Sequence, residues 1–538
     1  MLRRSTYEES FPSTLTRARF LQASATAVAA LSGAQILGGC GSTGSGAAGD
    51  APAGGPPQRP TGTFRFPLEG ATTGFDPAYS GALLSDYVVV HAIFDRLVAF
   101  DPAFTRLVPS LATGWEQSED AREFTITLRD GVRFHDGEPL DAAALKATLQ
   151  YMSTAAGAIS GLLLPPRYDT LELVDALRLR VVTPAPQPDF IRNQAFLSVM
   201  SPKAIKAGGE ALKRRPIGTG AYRFARRAGN GGALVVANND YWGDGPYFEQ
   251  IDFEVIADAG ARINALLTRQ VGMAYRLPPT QVQRVAGASG TRTVSGDVWS
   301  GVYVAFVCNK PPFDDVRVRR ACAHAVDKEA LIRAIARGQG RVADTFSPKG
   351  VLGYAPPAVR YEHDLEAARA LMAAAGHADG FSAVMCVSTA QYLQPQLAQA
   401  VAGQLEQIGI RARVEVVDPI VQSRALLDPA QKAYDMFPTD WTWLTGGPLL
   451  QQAGTVQSAS RYDGRDLTAP LAAMSVTPDG PRRDAAFAAF EGAFSRQVPI
   501  LPLFQSIYND GLQQDVGGYE ETPKNGYGPN FFPMYTAA

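Results

Sequence analysis

Few side chains in this chain stand at spacings that do covalent chemistry. The five histidines, His91, His135, His324, His363 and His377, are scattered, and none falls in HExxH or another metal-ligand spacing. No GxSxG elbow is present. Asp314 and Asp315 are adjacent in a turn, which does not separate an acid from a base. The glycine-rich segment RRPIGTGAYRF over 214–224 has no GKS or GKT and does not complete GxGxxG. Gly218 and Gly220 therefore read as a tight turn or a close backbone approach rather than a phosphate cradle. No catalytic residue, metal or cofactor is expected. Recognition chemistry is better represented. Trp441 and Trp443 precede a Gly-Gly-Pro segment on a loop, where indole faces can stack on planar or sugar surfaces, with core packing as the alternative for each. Asp440 precedes them.

The totals are those of an ordinary globular protein. The chain has 538 residues, 46% hydrophobic and 19% charged, enough for about three or four domain-sized units. A formal net charge of −2 gives no global attraction to nucleic acid or anionic membrane. Cys308, Cys322 and Cys386 lie in apolar runs without CxxC spacing and read as buried small hydrophobes, with a disulfide among them left open. His91 reads as a packing histidine.

Residues 1–40 read as an address rather than as fold. Arg17 and Arg19 precede the weakly apolar run Phe20 to Leu37, which is too short and alanine-rich for a lasting membrane span. The run ends in Leu37-Gly38-Gly39-Cys40, similar to a bacterial lipobox, so Cys40 is the expected lipidation site. TRARFLQ over 16–22 resembles a twin-arginine signal in which an alanine splits the arginine pair, leaving Tat and Sec export both open. Residues 41–61 lack large apolar side chains and suit a flexible tether.

The folded body begins near Gly62 with the alternating strand TFRFPLEG. Residues 84–99 have helical periodicity. Phe124, Ile126 and Leu128 alternate with polar residues as in a half-buried strand, Asp130-Gly131 turns the chain, and Val132 and Phe134 alternate on an expected return strand. Pro139 and Asp141 then open an alanine-rich helix with Asp141 as N-cap. Arg317, Arg319 and Arg320 read as a solvated helix face partnered by Asp314 and Asp315.

The wording of LVPSLATGWEQSEDAREFTITLRDGVRFHDGEPLDAAAL, over 107–145, closely resembles the signature of the solute-binding proteins of the peptide/nickel class of ABC importers. Further segments match the same family in its order: LELVDALRLRVVTPAPQPDF, the GTGAY turn, NNDYWGDGPYFEQIDFEVI, ARINALLTRQVGMAY, VYVAFVCNKPPFDDVRVRRACAHAVDKEALI, HDLEAARALMAAAGHADGF, and YDMFPTDWTWLTGGP. The coverage is nearly all of residues 62–515. The resemblance implies an α/β, two-lobed periplasmic-binding-protein fold of the class II, cluster C type, with an extra subdomain in the N-terminal lobe. It places a first lobe at 62–302 with the subdomain at about 96–212, a second lobe at 303–500, and a C-terminal return to the first lobe at 501–538.

It further implies a monomeric, non-enzymatic receptor at the extracytoplasmic face. Such a receptor closes two lobes on a peptide or peptide-like solute and hands it to inner-membrane permease subunits. A non-peptide solute (an oligosaccharide, opine or nickel chelate) and, at the other extreme, a lipid-anchored extracellular hydrolase are the alternatives. By the same resemblance Asp76 lies in a turn similar to the family's "LDPA", Tyr79 follows it toward the cleft, and Asn309 sits at a strand end at the lobe junction. Peptide-binding members carry an Asp-Pro in the loop after the tryptophan. Here that loop, Thr442 to Pro448, has no acid, and Asp440 is the only carboxylate at hand. Simple dipeptides are therefore not the expected best solutes, and a polar molecule stacked on Trp441 or Trp443 is.

Overall fold

The computed structural model describes residues 2–3, 55–78, 84–101, 106–154, 168–388, 394–428, 430–442, 459–519, 531 and 533–537. The first lobe opens with β1 (Thr63–Leu68), whose Phe64, Phe66 and Leu68 are buried, and α1 (Leu84–Ile93). β2 (Ala112–Ser118) and β3 (Glu123–Leu128) follow, and in β3 Phe124, Ile126 and Leu128 are the buried set, as the period of two requires. Gly131 takes the positive φ of its turn, +78°.

The segment after that turn is not a return strand. Phe134 N–H donates to the Glu138 carbonyl at 2.8 Å and Leu140 N–H to that of Val132 at 2.9 Å, so 132–140 closes on itself. Val132, Phe134 and Leu140 thereby reach the core without pairing with β3. Alternation specifies which faces are buried but not which strand is the neighbour. Asp141 does cap α2 (Ala142–Thr154), its Oδ1 accepting the Ala144 N–H at 2.8 Å. β4 (Thr170–Leu173) and β5 (Arg178–Val182) complete an antiparallel sheet in the order β2-β3-β5-β4, and the short helix α3 (Phe190–Asn193) leads out of it.

A second sheet has the order β1-β8-β7-β6, from β6 (Tyr222–Arg227), β7 (Ala233–Ala237) and β8 (Gln250–Val255), with β1 parallel to β8. α4 (Ala259–Leu267), capped by Asp258, leads to β9 (Met273–Ala274). The core of this lobe gathers Phe66, Phe253 and Phe531 edge to face, with ring centroids 5.3–5.9 Å apart. Rings of this size stabilise by about 1.5–3 kcal/mol each when fully buried.

The Gly-Thr-Gly segment ties the lobe together. Gly220 N–H donates to the Ile93 carbonyl at 2.9 Å, at the end of α1. A Cβ on Gly218 would stand 2.3 Å from that same oxygen, so the close backbone approach is what demands glycine. Thr219 Oγ1, Tyr241 Oη and Trp242 Nε1 all donate to the buried Asp95 carboxylate, at 3.0, 2.9 and 2.7 Å. The GTG and YW motifs thus meet on one internal acid, and their role is architectural.

The second lobe is built on a sheet covered by helices on both faces. Its elements are β10 (Thr291–Phe306), α5 (Val316–Ala325), β11 (Gly340–Val342), α6 (Leu365–Ala374), β12 (Phe381–Ser388), α7 (Gln394–Glu406), β13 (Ile410–Val417), β14 (Met436–Thr442), α8 (Arg465–Val476), α9 (Pro481–Gln497) and β15 (Ile500–Gln513). The sheet order is β9-β15-β10-β14-β12-β13, with β11 also on β15. Val302, Val304 and Phe306 of β10 pack toward α5, α6 and α7, while Trp299, Tyr303 and Ala305 pack toward α8 and α9. Cys308, Cys322 and Cys386 are buried and unpaired. His91 packs on Tyr87, as a packing histidine should, with ring centroids 4.7 Å apart. Arg317 is exposed and paired with Asp315, but Arg319 departs from the solvated face: it is buried and donates to the carbonyls of Phe313 at 2.7 Å and Gln497 at 2.8 Å. Main-chain oxygens at the ends of two elements satisfy its guanidinium in place of water.

β10 and β15 belong to both lobes. Their amino- and carboxy-terminal parts, 291–297 with 507–513, join β9 and the first core through Met273 and Leu512. Their other parts, 301–305 with 500–505, lie in the second core. Between Asp297↔Ile507 and Gly301↔Gln505 β10 advances farther than β15, a bulge that bends the ribbon where it passes between lobes. The molecule is a two-lobed α/β protein with an additional sheet, β2-β3-β5-β4, in the first lobe.

Candidate functional site

The bend in β10 and β15 sets which side chains meet between the lobes. β9 ends at Ala274, and the next residues place Arg276 against β15. Arg276 adopts φ +54°, and its N–H donates to Asp510 Oδ1 at 2.7 Å. An arginine in this left-handed region is held there by its surroundings. Its Nη2 donates to Tyr508 Oη at 2.7 Å, and its guanidinium lies 4.6 Å from the Tyr508 ring centroid. Asp510 also accepts from Tyr519 Oη, which pins the chain beyond β15 to the same point. Gly296 stands opposite Tyr508 in register.

Asp440 comes to this place from the other lobe. It lies on β14 opposite Val302, just past the bend. Its Oδ1 is buried and has no hydrogen-bond partner among the described residues, while the residue as a whole is partly exposed. Burial pushes its carboxyl up to about 6, against the opposing pull of the Arg276 charge. For Arg276 burial works against the charged form, but Tyr508, Tyr275, Glu69 and Asp440 outweigh it and its pKa is raised. Arg276 Nε is buried and also without a partner. A buried acceptor and a buried donor left open among the described residues, each acting on the other's charge, are suited to a solute that offers the complementary groups.

Asp76 is buried elsewhere in the first lobe, accepting from Tyr151 Oη at 2.5 Å and from Ala78 N–H at 3.0 Å. Burial raises its carboxyl, with Tyr151 the largest opposing influence. It fixes the turn that leads to Tyr79, which lies outside the described residues, as do Trp443 and Cys40. The backbone of Trp441 lies opposite Gly301, one residue from Asp440. Asn309 is exposed in the turn beyond Phe306, at the end of β10 remote from the crossing, rather than at the lobe junction. Asp440 and Trp441 are therefore brought to one place, and Asp76 and Asn309 are not brought to it. Sequence reading missed Arg276, Tyr508 and Asp510. The available signal was a lone arginine between a strand and Pro278-Pro279. Among the described residues no group of three or more His, Cys, Asp or Glu side chains could hold a metal ion, and no helix is long and apolar enough to cross a membrane.

A family model described as bacterial extracellular solute-binding proteins, family 5 Middle, matches residues 106–455. The chain is 26% identical over 469 residues to the glutathione-binding protein GsiB of Salmonella paratyphi A, covering 85% of this chain and 91% of that protein. It is 26% identical over 501 residues to the dipeptide-binding protein of Escherichia coli K12, covering 86% and 92%. Its fold is similar to that of the ABC transporter substrate-binding protein CtaP of Listeria monocytogenes, with a TM-score of 0.80 at 20% identity over 89% of this chain and all of that one.

Proposed function

The chain belongs to the bacterial extracellular solute-binding proteins of family 5, the extracytoplasmic receptors of ABC importers, and we propose that its solute is peptide-like and is held where β10 and β15 cross between the lobes. The observation that carries this reading is the pair of open groups at the crossing: among the described residues Asp440 Oδ1 has no donor and Arg276 Nε no acceptor, and both are buried. A solute amine on Asp440 and a solute carboxylate on Arg276 would satisfy both. Two curated relatives are named for binding glutathione and dipeptides, molecules that carry both groups. Trp441 and Trp443 are the proposed aromatic faces for the rest of the solute, and Tyr79 is a further candidate contact.

The lobes in this reading are 62–302, with the subdomain at about 96–212, and 303–500, with 501–538 returning to the first. The receptor works as a monomer without turnover and passes its solute to permease subunits. Cys40 anchors it by lipid after export through Tat or Sec, and residues 41–61 form the tether. Thermal-shift screening of the exported protein against glutathione, dipeptide, opine and saccharide panels tests the solute class, and a Cys40→Ala variant fractionated beside wild type tests the anchor. Stabilisation by the peptide-like set and release of Cys40→Ala from the membrane are expected. Stabilisation by an opine or saccharide alone overturns the peptide reading, and a soluble, unlipidated wild type overturns the anchor.

A further inference from the structure

A second contact joins the lobes through groups that play no part in the crossing. Asp189, at the amino end of α3, and Arg192 belong to the first lobe, and their neighbours Phe190 and Ile191 lie in its core. Asp479 and Arg483, where α8 gives way to α9, belong to the second, and Phe487 beside them lies in that core. Arg483 Nη1 donates to Asp189 Oδ1 at 3.1 Å, and its Nη2 to Asp189 Oδ2. The same guanidinium reaches Asp479 at 2.7 Å and the Met474 carbonyl at 3.1 Å. Arg192 closes the ring, with Nη1 3.2 Å from Asp189 and Nη2 on Asp479. Arg483 and Asp189 are 1% and 3% exposed.

Each lobe contributes one arginine and one aspartate. Asp189 and Arg192 are three residues apart, and Asp479 and Arg483 four, so each pair is within reach of itself on its own lobe. Separating the lobes therefore strands no charge: each side keeps a neutral pair, and water solvates it. Bringing them together exchanges two separate pairs for one ring in which the two-pronged Arg483–Asp189 contact is buried while Asp479 stays half exposed. Desolvation opposes that exchange and charge-assisted bonding favours it, so the two states lie close in energy. A contact of this kind is suited to a protein whose lobes must both close and reopen.

We infer that Asp189, Arg192, Asp479 and Arg483 form an interlobe latch that holds the closed arrangement and thereby sets solute affinity without touching solute. This rests on the receptor reading above, in which closure and binding are linked. Because a solute that selects the closed form gains whatever stabilises it, loosening the latch weakens binding on the order of tenfold.

The test uses nitroxide pairs at exposed Lys203→Cys, in the first lobe, and Ala370→Cys, in the second. Interlobe distances are read by pulsed electron resonance in the labelled parent, Asp189→Asn, Arg483→Lys and the Asp189→Asn/Arg483→Lys double variant, each with and without glutathione. The near population should shrink several-fold in either single variant, and the double should lose no more than the worse single. Unfolding midpoints measured alongside separate a shifted lobe equilibrium from a variant that fails to fold, and Arg483→Lys keeps the charge in case Asp189→Asn does fail. Identical distance distributions in parent and variants under both conditions overturn the latch. If glutathione binds none of them, the choice of solute is wrong, while the distances still decide the latch.

Discussion

At the scale of single residues, Asp440 carries most of the chemistry. Its carboxyl, raised to about 6 by burial, takes up a proton in the folded protein more readily than in the unfolded chain, where an aspartate titrates near ~3.9. The folded state binds the extra proton between about pH 4 and 6, so this group's contribution to stability falls as pH rises through that window. The rise corresponds to at most about 3 kcal/mol, and water reaching the partly exposed side chain reduces what is expected in practice. Asp440→Asn should therefore be more stable than wild type by about 1–2 kcal/mol at pH 7 and nearly equal to it at pH 4, read from urea unfolding at the two values. Equal stability at both would mean that Asp440 is not held in an unfavourable state. Its importance was legible as an acid beside Trp441. The residue that opposes its protonation was not, because Arg276 is held on β15 by Tyr508 and Asp510, 232 and 234 positions away.

At the scale of elements, local signals gave the most. Asp141 caps α2 as its position before an alanine-rich run implies, and β3 buries the three residues its alternation picks out. Val132–His135 failed as a strand because the same alternation also fits a loop that bonds to itself. The GTG segment shows the opposite case, a motif whose glycines were legible but whose reason was not: the obstacle is the Ile93 carbonyl on another element. Gly218→Ala, which forces a Cβ to within 2.3 Å of that oxygen, should destabilise the protein by about 1–3 kcal/mol or more, since the core cannot relax around backbone. Chemical denaturation measures this, and a loss below about 0.5 kcal/mol would show that the approach is looser than described.

At the scale of the whole molecule, the two lobes are joined in different ways at two places. β10 and β15 pass continuously between them and give the bend about which they are set. The Arg483–Asp189 ring joins them again through side chains 294 positions apart, a pairing that no local pattern announces. Family wording made the two-lobed architecture readable from sequence, while the junction itself is a product of long-range register. In the proposed function the crossing captures a peptide-like solute and releases it unchanged. Titration calorimetry of the exported protein with glutathione and a dipeptide series, at pH 6 in buffers of differing ionisation enthalpy, tests it most directly. One molecule should bind per chain, with up to about half a proton released on binding as a solute amine draws down the Asp440 carboxyl, which is about half protonated at this pH. Asp440→Asn should lose both affinity and proton release, and the solute should be recovered intact. Full-strength binding by Asp440→Asn, or chemical conversion of the recovered solute, would contradict it.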